Sequence, residues 1–342
     1  VLGLSPLPRT IGAALRDVRD KKLMVRVSAL RDLSRLSRGE HRAEAVAALS
    51  QALLEDSAPG VRGEAAVALA DAEATDALDA LIEAATGDAH VRVRQMAIMA
   101  IGELAEEGNR VACALLERAL RDDEPALRFQ ALIAVARIRK RRALDAIVTA
   151  TKDGDDHVRY VAFRLAEEHW VTEPGELPRD LVEAALRALE DDAAEVRLAA
   201  AILLAHAKDA SGADVLVAAV NDARPTLEPE DEQAAIDLSG ELALEQARPG
   251  LERRAFGLLG ISRDRFAWQA RVALARLGDQ RARDVILRGL GAWTRDARTM
   301  AVAAAGRARL SEARPLIEAM QGKADRAEPE AVAEALQLLS KS

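Results

Sequence analysis

One recurring pattern limits what this chain can fold into. It is an acidic turn, then an amphipathic segment with an apolar residue, an arginine and, three places later, an alanine. It stands as DSAPGVRGEAAVALA at 56–70, DAHVRVRQMAIMAIG at 88–102, DEPALRFQALIAVA at 123–136, DDHVRYVAFRLA at 155–166 and DAAEVRLAAAILLA at 192–205. The arginine falls at Arg26, Arg62, Arg94, Arg128, Arg159, Arg197 and Arg298. Its steps cluster near ~34 residues, the period of two-helix solenoid repeats, and the gap after Arg197 spans about three periods. Two degenerate copies fill that gap: EQAAIDLSG at 232–240, with Gln233 in the arginine slot, and FAWQARVALARLG at 266–278, with Ala267 there. A tenth copy, AEPEAVAEALQLL at 327–339, closes the chain.

At ~100° per residue, the alanine, the apolar residue before the arginine and the positions six and seven after it share one helix face. Small residues on that face let neighbouring helices approach closely, as a stacked array requires. Composition agrees, because 50% of residues are hydrophobic but only 2% aromatic, a poor alphabet for one large globular core. The expectation is an all-α protein, an α-solenoid of about ten antiparallel helix pairs in a single domain over 1–342. Regular repeats are expected at about 42–170, irregular acidic ones at about 171–248 and basic ones at about 249–342. Carboxylates at Asp56, Asp88, Asp122–Asp123 and Asp155–Asp156 are placed to cap the second helix of each pair. The motif arginines are placed to pair with turn carboxylates of adjacent repeats.

The D-x-x-x-x-V-R-x-x-A-x-x-A-L pattern resembles the HEAT repeats of the phycobilisome-lyase-like subclass across essentially the whole chain. That resemblance implies first helices on a convex side and second helices on a concave side, and no single function. Di-iron hydroxylases of this class carry repeated His-Glu dipeptides. None of His41, His90, His157, His169 and His206 is followed by Glu. Bilin lyases share the repeat, but no residue here marks a chromophore site. No phosphate-binding glycine loop, nucleophile elbow or cysteine pair is present. The expectation is therefore no catalytic residue, no metal and no cofactor.

Net charge is −8 and unevenly spread: 9 basic against 23 acidic residues in 150–248, then 14 against 6 in 249–314. The basic segment, with Trp268 and Trp293, carries the competing reading, a nucleic-acid binder resembling alkylation-repair DNA glycosylases. The acidic middle opposes it, since a duplex would be repelled along that stretch. RIRKRR at 137–142 is the densest basic cluster and suits a helix C-terminus. The lone Cys113 excludes an internal disulfide and fits a reducing compartment. No apolar run reaches the ~20 residues of a membrane span. A cytoplasmic location is the expectation.

Positions one and five after the arginine lie opposite the alanine face and project onto the concave surface. Read along the repeats they include Phe129, Ile133, Tyr160, Arg164, Leu198, Ile202 and Trp268. These residues, flanked by Asp237, Glu241 and Arg271, form the candidate site for a protein partner, an amphipathic helix or an extended peptide. The function expected is that of a non-enzymatic scaffold or adaptor.

Overall fold

The computed structural model describes residues 9–171, 176–222, 228–257 and 264–340. Its helices fall into ten pairs and two compact units, residues 1–173 and 174–342. The N-terminal unit pairs α1 (Ile11–Asp17) with α2 (Leu23–Leu36), α3 (Arg42–Glu55) with α4 (Pro59–Asp71), and α5 (Leu78–Gly87) with α6 (Val91–Leu104). Its last two pairs are α7 (Arg110–Ala119) with α8 (Pro125–Arg139), and α9 (Leu144–Ala150) with α10 (Asp156–Trp170). The C-terminal unit begins with α11 (Arg179–Ala188) and α12 (Ala194–His206), then α13 (Ala213–Asn221) and α14 (Pro229–Glu241). It continues with α15 (Arg248–Phe256) and α16 (Ala267–Arg276), α17 (Gln280–Gly289) and α18 (Arg295–Arg307), and α19 (Arg314–Glu318) and α20 (Pro329–Ser340). No strand occurs among the described residues.

The motif alanines Ala29, Ala65, Ala97, Ala131, Ala162, Ala200, Ala270 and Ala301 are all fully buried, so the small-residue face is the packing face. Second helices stack tightly on one another within each unit. A Cβ built on Gly102 would sit 2.5 Å from the Ala134 Cβ, and Gly240 and Gly306 meet Ala273 and Ala335 in the same way. Only glycine allows that approach.

This contact corrects the register of the seventh copy. Gly102 and Gly306 lie eight residues after Arg94 and Arg298, and the residue eight before Gly240 is Glu232, not Gln233. Ala235 then takes the alanine position, and it is buried.

Five second helices end in a shared device. The residue after the last helical turn is left-handed at Glu73, Lys208, Ala243, Gly278 and Arg309. The next amide donates to the carbonyl five residues earlier: Ala74 to Leu69, Asp209 to Leu204, Leu244 to Ser239, Asp279 to Leu274 and Leu310 to Ala305, at 2.9–3.1 Å. These are Schellman caps, four of them closed without glycine.

Candidate functional site

Every motif arginine has the same backbone partner. Arg26, Arg62, Arg94, Arg128, Arg159, Arg197 and Arg298 each donate to the carbonyl six residues earlier, at 2.5–2.9 Å. In six cases that earlier residue is an aspartate. Its carboxylate accepts the amide two residues on, as Asp56 does from Ala58 at 2.8 Å and Asp88 from His90 at 2.9 Å. The turn carboxylates thus close Asx turns just ahead of the helix. In the fifth copy the aspartate that closes the turn and receives the arginine is Asp153. Asp155 instead caps α10 through the Val158 amide.

The same carboxylates receive the arginine of the preceding repeat. Arg26 reaches Asp56 at 2.8 Å, Arg62 grips Asp88 with two bonds of 2.6 and 3.0 Å, and Arg128 grips Asp153 with bonds of 2.8 and 2.6 Å. Hydrogen bonds from Arg62 hold the Asp88 carboxyl below the ordinary carboxylate range. At Asp153 burial, the largest single influence, works the other way, but the Arg128 bonds, the Asp155 amide and the charges of Arg128 and Arg159 together hold the carboxyl low. The ladder fixes the register of one repeat on the next.

In the C-terminal unit one rung is reversed. Glu232 occupies the arginine slot, and its carboxylate accepts from Arg254 at 2.6 Å and Arg265 at 2.7 Å. Arg254 is almost fully buried and also reaches Asp264 at 3.3 Å. Burial would raise the Glu232 carboxyl, and the two arginines hold it low.

The candidate partner residues separate into three groups. Phe129 and Ile133 on α8 and Tyr160 and Arg164 on α10 are half-buried, at equivalent positions of adjacent stacked helices. Val67, Met96 and Met99 extend the strip along α4 and α6, also half-buried. Leu198 and Ile202, by contrast, are 1% and 0% exposed and belong to the C-terminal core, packed among Ala235, Leu238 and their neighbours. They offer no surface to a partner, a correction to the sequence reading. The helical phase is right, but in this unit core packing covers it.

The remaining four are engaged with each other or with neighbours. Arg271 lies over the Trp268 ring at 5.0 Å and donates to the Ala255 carbonyl at 3.1 Å. Burial lowers its guanidinium from the ordinary value. Glu241 pairs with Arg276 at 2.9 Å. Asp237, one turn before it, is raised by burial despite the charges of Arg307 and Arg276.

The basic clusters are largely neutralised. Within RIRKRR, Arg137 pairs with Glu103, Arg139 with Glu117 and Arg142 with Glu107, and Arg141 donates to the His169 carbonyl. In 249–314, Arg276, Arg283 and Arg295 hold Glu241, Glu312 and Glu328, and Arg281 stacks on Phe256 at 3.8 Å. Trp293 is 97% exposed on the turn before α18.

The sequence reading missed a pocket of about 550 Å³ in the N-terminal unit, between α4 and α6. Pro59, Gly60, Gly63, Val67, Val91 and Met96 line it, with Glu64, His90 and Arg92 at its polar edge. Gly63 stands at the position that Phe129 and Tyr160 hold in later repeats. The missing side chain opens the pocket. A glycine in the strip was the available signal.

Three overlapping stretches, residues 8–102, 46–128 and 78–167, match the family model for HEAT repeats. No curated protein matches. Among solved structures the chain is similar to YibA of E. coli, with a TM-score of 0.55 and 20% identity over 79% of this chain and 93% of that one. A second similar structure is the complex of CpcE and CpcF of phycocyanin lyase from Nostoc, with a TM-score of 0.43 and 18% identity over 74% and 96%. At such identities a likeness speaks to fold alone. The family match shows HEAT repeats over residues 8–167, and the helix pairs beyond them continue the same two-helix unit.

Proposed function

We propose that the chain is a non-enzymatic cytoplasmic scaffold or adaptor. It holds a protein partner on the exposed face of the second helices of its N-terminal unit. One observation carries the reading: Val67, Met96, Met99, Phe129, Ile133 and Tyr160 keep apolar surface half-open on four successive second helices. An unbroken apolar strip of this kind is the form of surface that a helix or an extended segment covers.

The test places a photo-crosslinking residue at Met99 or Ile133, and as control at Glu83 on the first helix α5. Crosslinks to one protein from the strip and none from Glu83 are expected. Against that purified partner, Phe129→Ala should cost about 2 kcal/mol of binding, as buried aromatic contacts do. Crosslinking confined to a probe at Arg253 would overturn the reading and return the function to the basic segment.

A further inference from the structure

We infer that the pocket between α4 and α6 is a socket for one large apolar side chain of the partner, with a partner carboxylate beside it at Arg92. The inference rests on the proposed function and specifies the partner for the same face. Its first support is shape. The cavity of about 550 Å³ has a glycine floor, Gly60 and Gly63, and apolar walls from Pro59, Val67, Val91 and Met96. Nothing lies within 4 Å of a Cβ built on Gly60, and only the Met96 Cγ, at 3.7 Å, faces one built on Gly63. The glycines therefore mark unfilled space rather than the tight helix contact of Gly102.

Charge is the second support. Of the groups at the polar edge, Glu64 is already held by Arg31 at 2.6 Å. Arg92 is exposed and, among the described residues, has no hydrogen-bond or carboxylate partner. The unmet charge at the rim is thus positive, next to the first turns of both α4 and α6, where the helix dipole also favours an anion. An apolar anchor with an acidic neighbour satisfies the pocket and the rim together. A basic or wholly apolar segment leaves Arg92 unanswered.

The experiment pans phage-displayed random 12-residue peptides on the full chain and titrates the enriched peptides by fluorescence anisotropy. Peptides sharing a Leu, Ile, Phe, Met or Trp within four residues of an Asp or Glu are expected. Gly63→Leu, which fills the socket, and Arg92→Glu should each weaken them at least tenfold, while the charge-conserving Arg92→Lys keeps most of the affinity. Gly60→Leu is the second filling variant if Gly63→Leu loses the wild-type melting temperature.

Several outcomes overturn the inference. One is an enriched set lacking the acidic residue. Another is wild-type affinity in folded Gly63→Leu and Gly60→Leu, or in Arg92→Glu. If Phe129→Ala still weakens those peptides, the strip reading stands and only the socket falls. If neither change matters, both fall. Self-association that Gly63→Leu abolishes, or tighter binding of a labelled 20-nucleotide single strand than of any peptide, assigns the pocket to a second copy or to a phosphate backbone and likewise overturns it.

Discussion

One slot of the C-terminal unit carries the charge opposite to that in the N-terminal unit. In the N-terminal unit Arg62 projects forward onto Asp88. In the C-terminal unit Glu232 stands where the arginine would, and Arg254 and Arg265 come to it. Arg62 with Asp88 and Glu232 with Arg254 are both largely buried pairs, while Arg265 stays more than half exposed. A buried ion stripped of its partner is costly, so the pair survives as a unit while its polarity is free to reverse. Stacking therefore selects a paired charge that fixes one repeat on the next, not an arginine as such. The exposed faces differ as well. The N-terminal strip keeps Met99, Phe129 and Ile133 half-open, whereas Ile202 and Val272 at comparable phases are buried in the C-terminal core.

The strongest break in this comparison is Arg254→Met. It removes the buried cation shared by Glu232 and Asp264, leaving Glu232 only the exposed Arg265, and should cost about 3–5 kcal/mol, read from the urea midpoint and slope. Arg62→Met should cost less, about 2–3 kcal/mol by the same reasoning, since Asp88 keeps its bond from the His90 amide. An Arg254→Met midpoint at the wild-type value would show that the reversed rung holds nothing.

Next come the shared close contacts. Gly102→Ala and Gly240→Ala, one in each unit, should each cost about 1–3 kcal/mol, because the added methyl meets backbone of the adjacent helix. Ala131→Leu and Ala200→Leu overpack the same face by a similar ~1–3 kcal/mol. A silent Gly240→Ala beside a damaging Gly102→Ala would undo the Glu232 register.

Acid titration separates the ladder carboxylates from Asp237 by sign. Asp88, Asp153 and Glu232 are held below their ordinary values, so each adds stability above the unfolded carboxylate pKa and loses it as pH falls through the lower, folded one. Asp88→Asn should therefore flatten the fall of melting temperature below about pH 4. Asp237 is raised by burial and works the other way. Its charge opposes folding at neutral pH, so Asp237→Asn should raise the melting temperature at pH 7, and the gain should vanish below the unfolded pKa. A neutral-pH loss on Asp237→Asn would mean that the pairing with nearby Arg276 or Arg307 outweighs burial.

The smallest effect expected is at the helix ends. Ala243→Gly relieves a left-handed alanine and should stabilise by up to about 1 kcal/mol. Gly278→Ala, at the matching turn, should cost about as much, and equal melting temperatures would show the turns to be relaxed.

Much of this was legible in residue order. The period, the ten pairs, the buried alanine face and the arginine-to-aspartate pairing are local or near-local facts. Helical phase repeats every few residues, and a regular stack forces equivalent positions to meet equivalent neighbours. The reversed rung was not legible, because Glu232 looks like any exposed acid until α15 brings Arg254 against it from 22 residues away. The burial of Leu198 and Ile202 escaped for a related reason. Phase says which way a side chain points from its own helix, and only packing says what waits there.

The sequence by itself determined an array of paired helices and the face on which each second helix packs, because periodicity and small residues act through the helix they belong to. The tertiary structure alone decided which charges were paired, which parts of the outward strip stayed open and where absent side chains left a pocket. Those properties belong to the space between helices, and that space is set by how closely two backbones can approach.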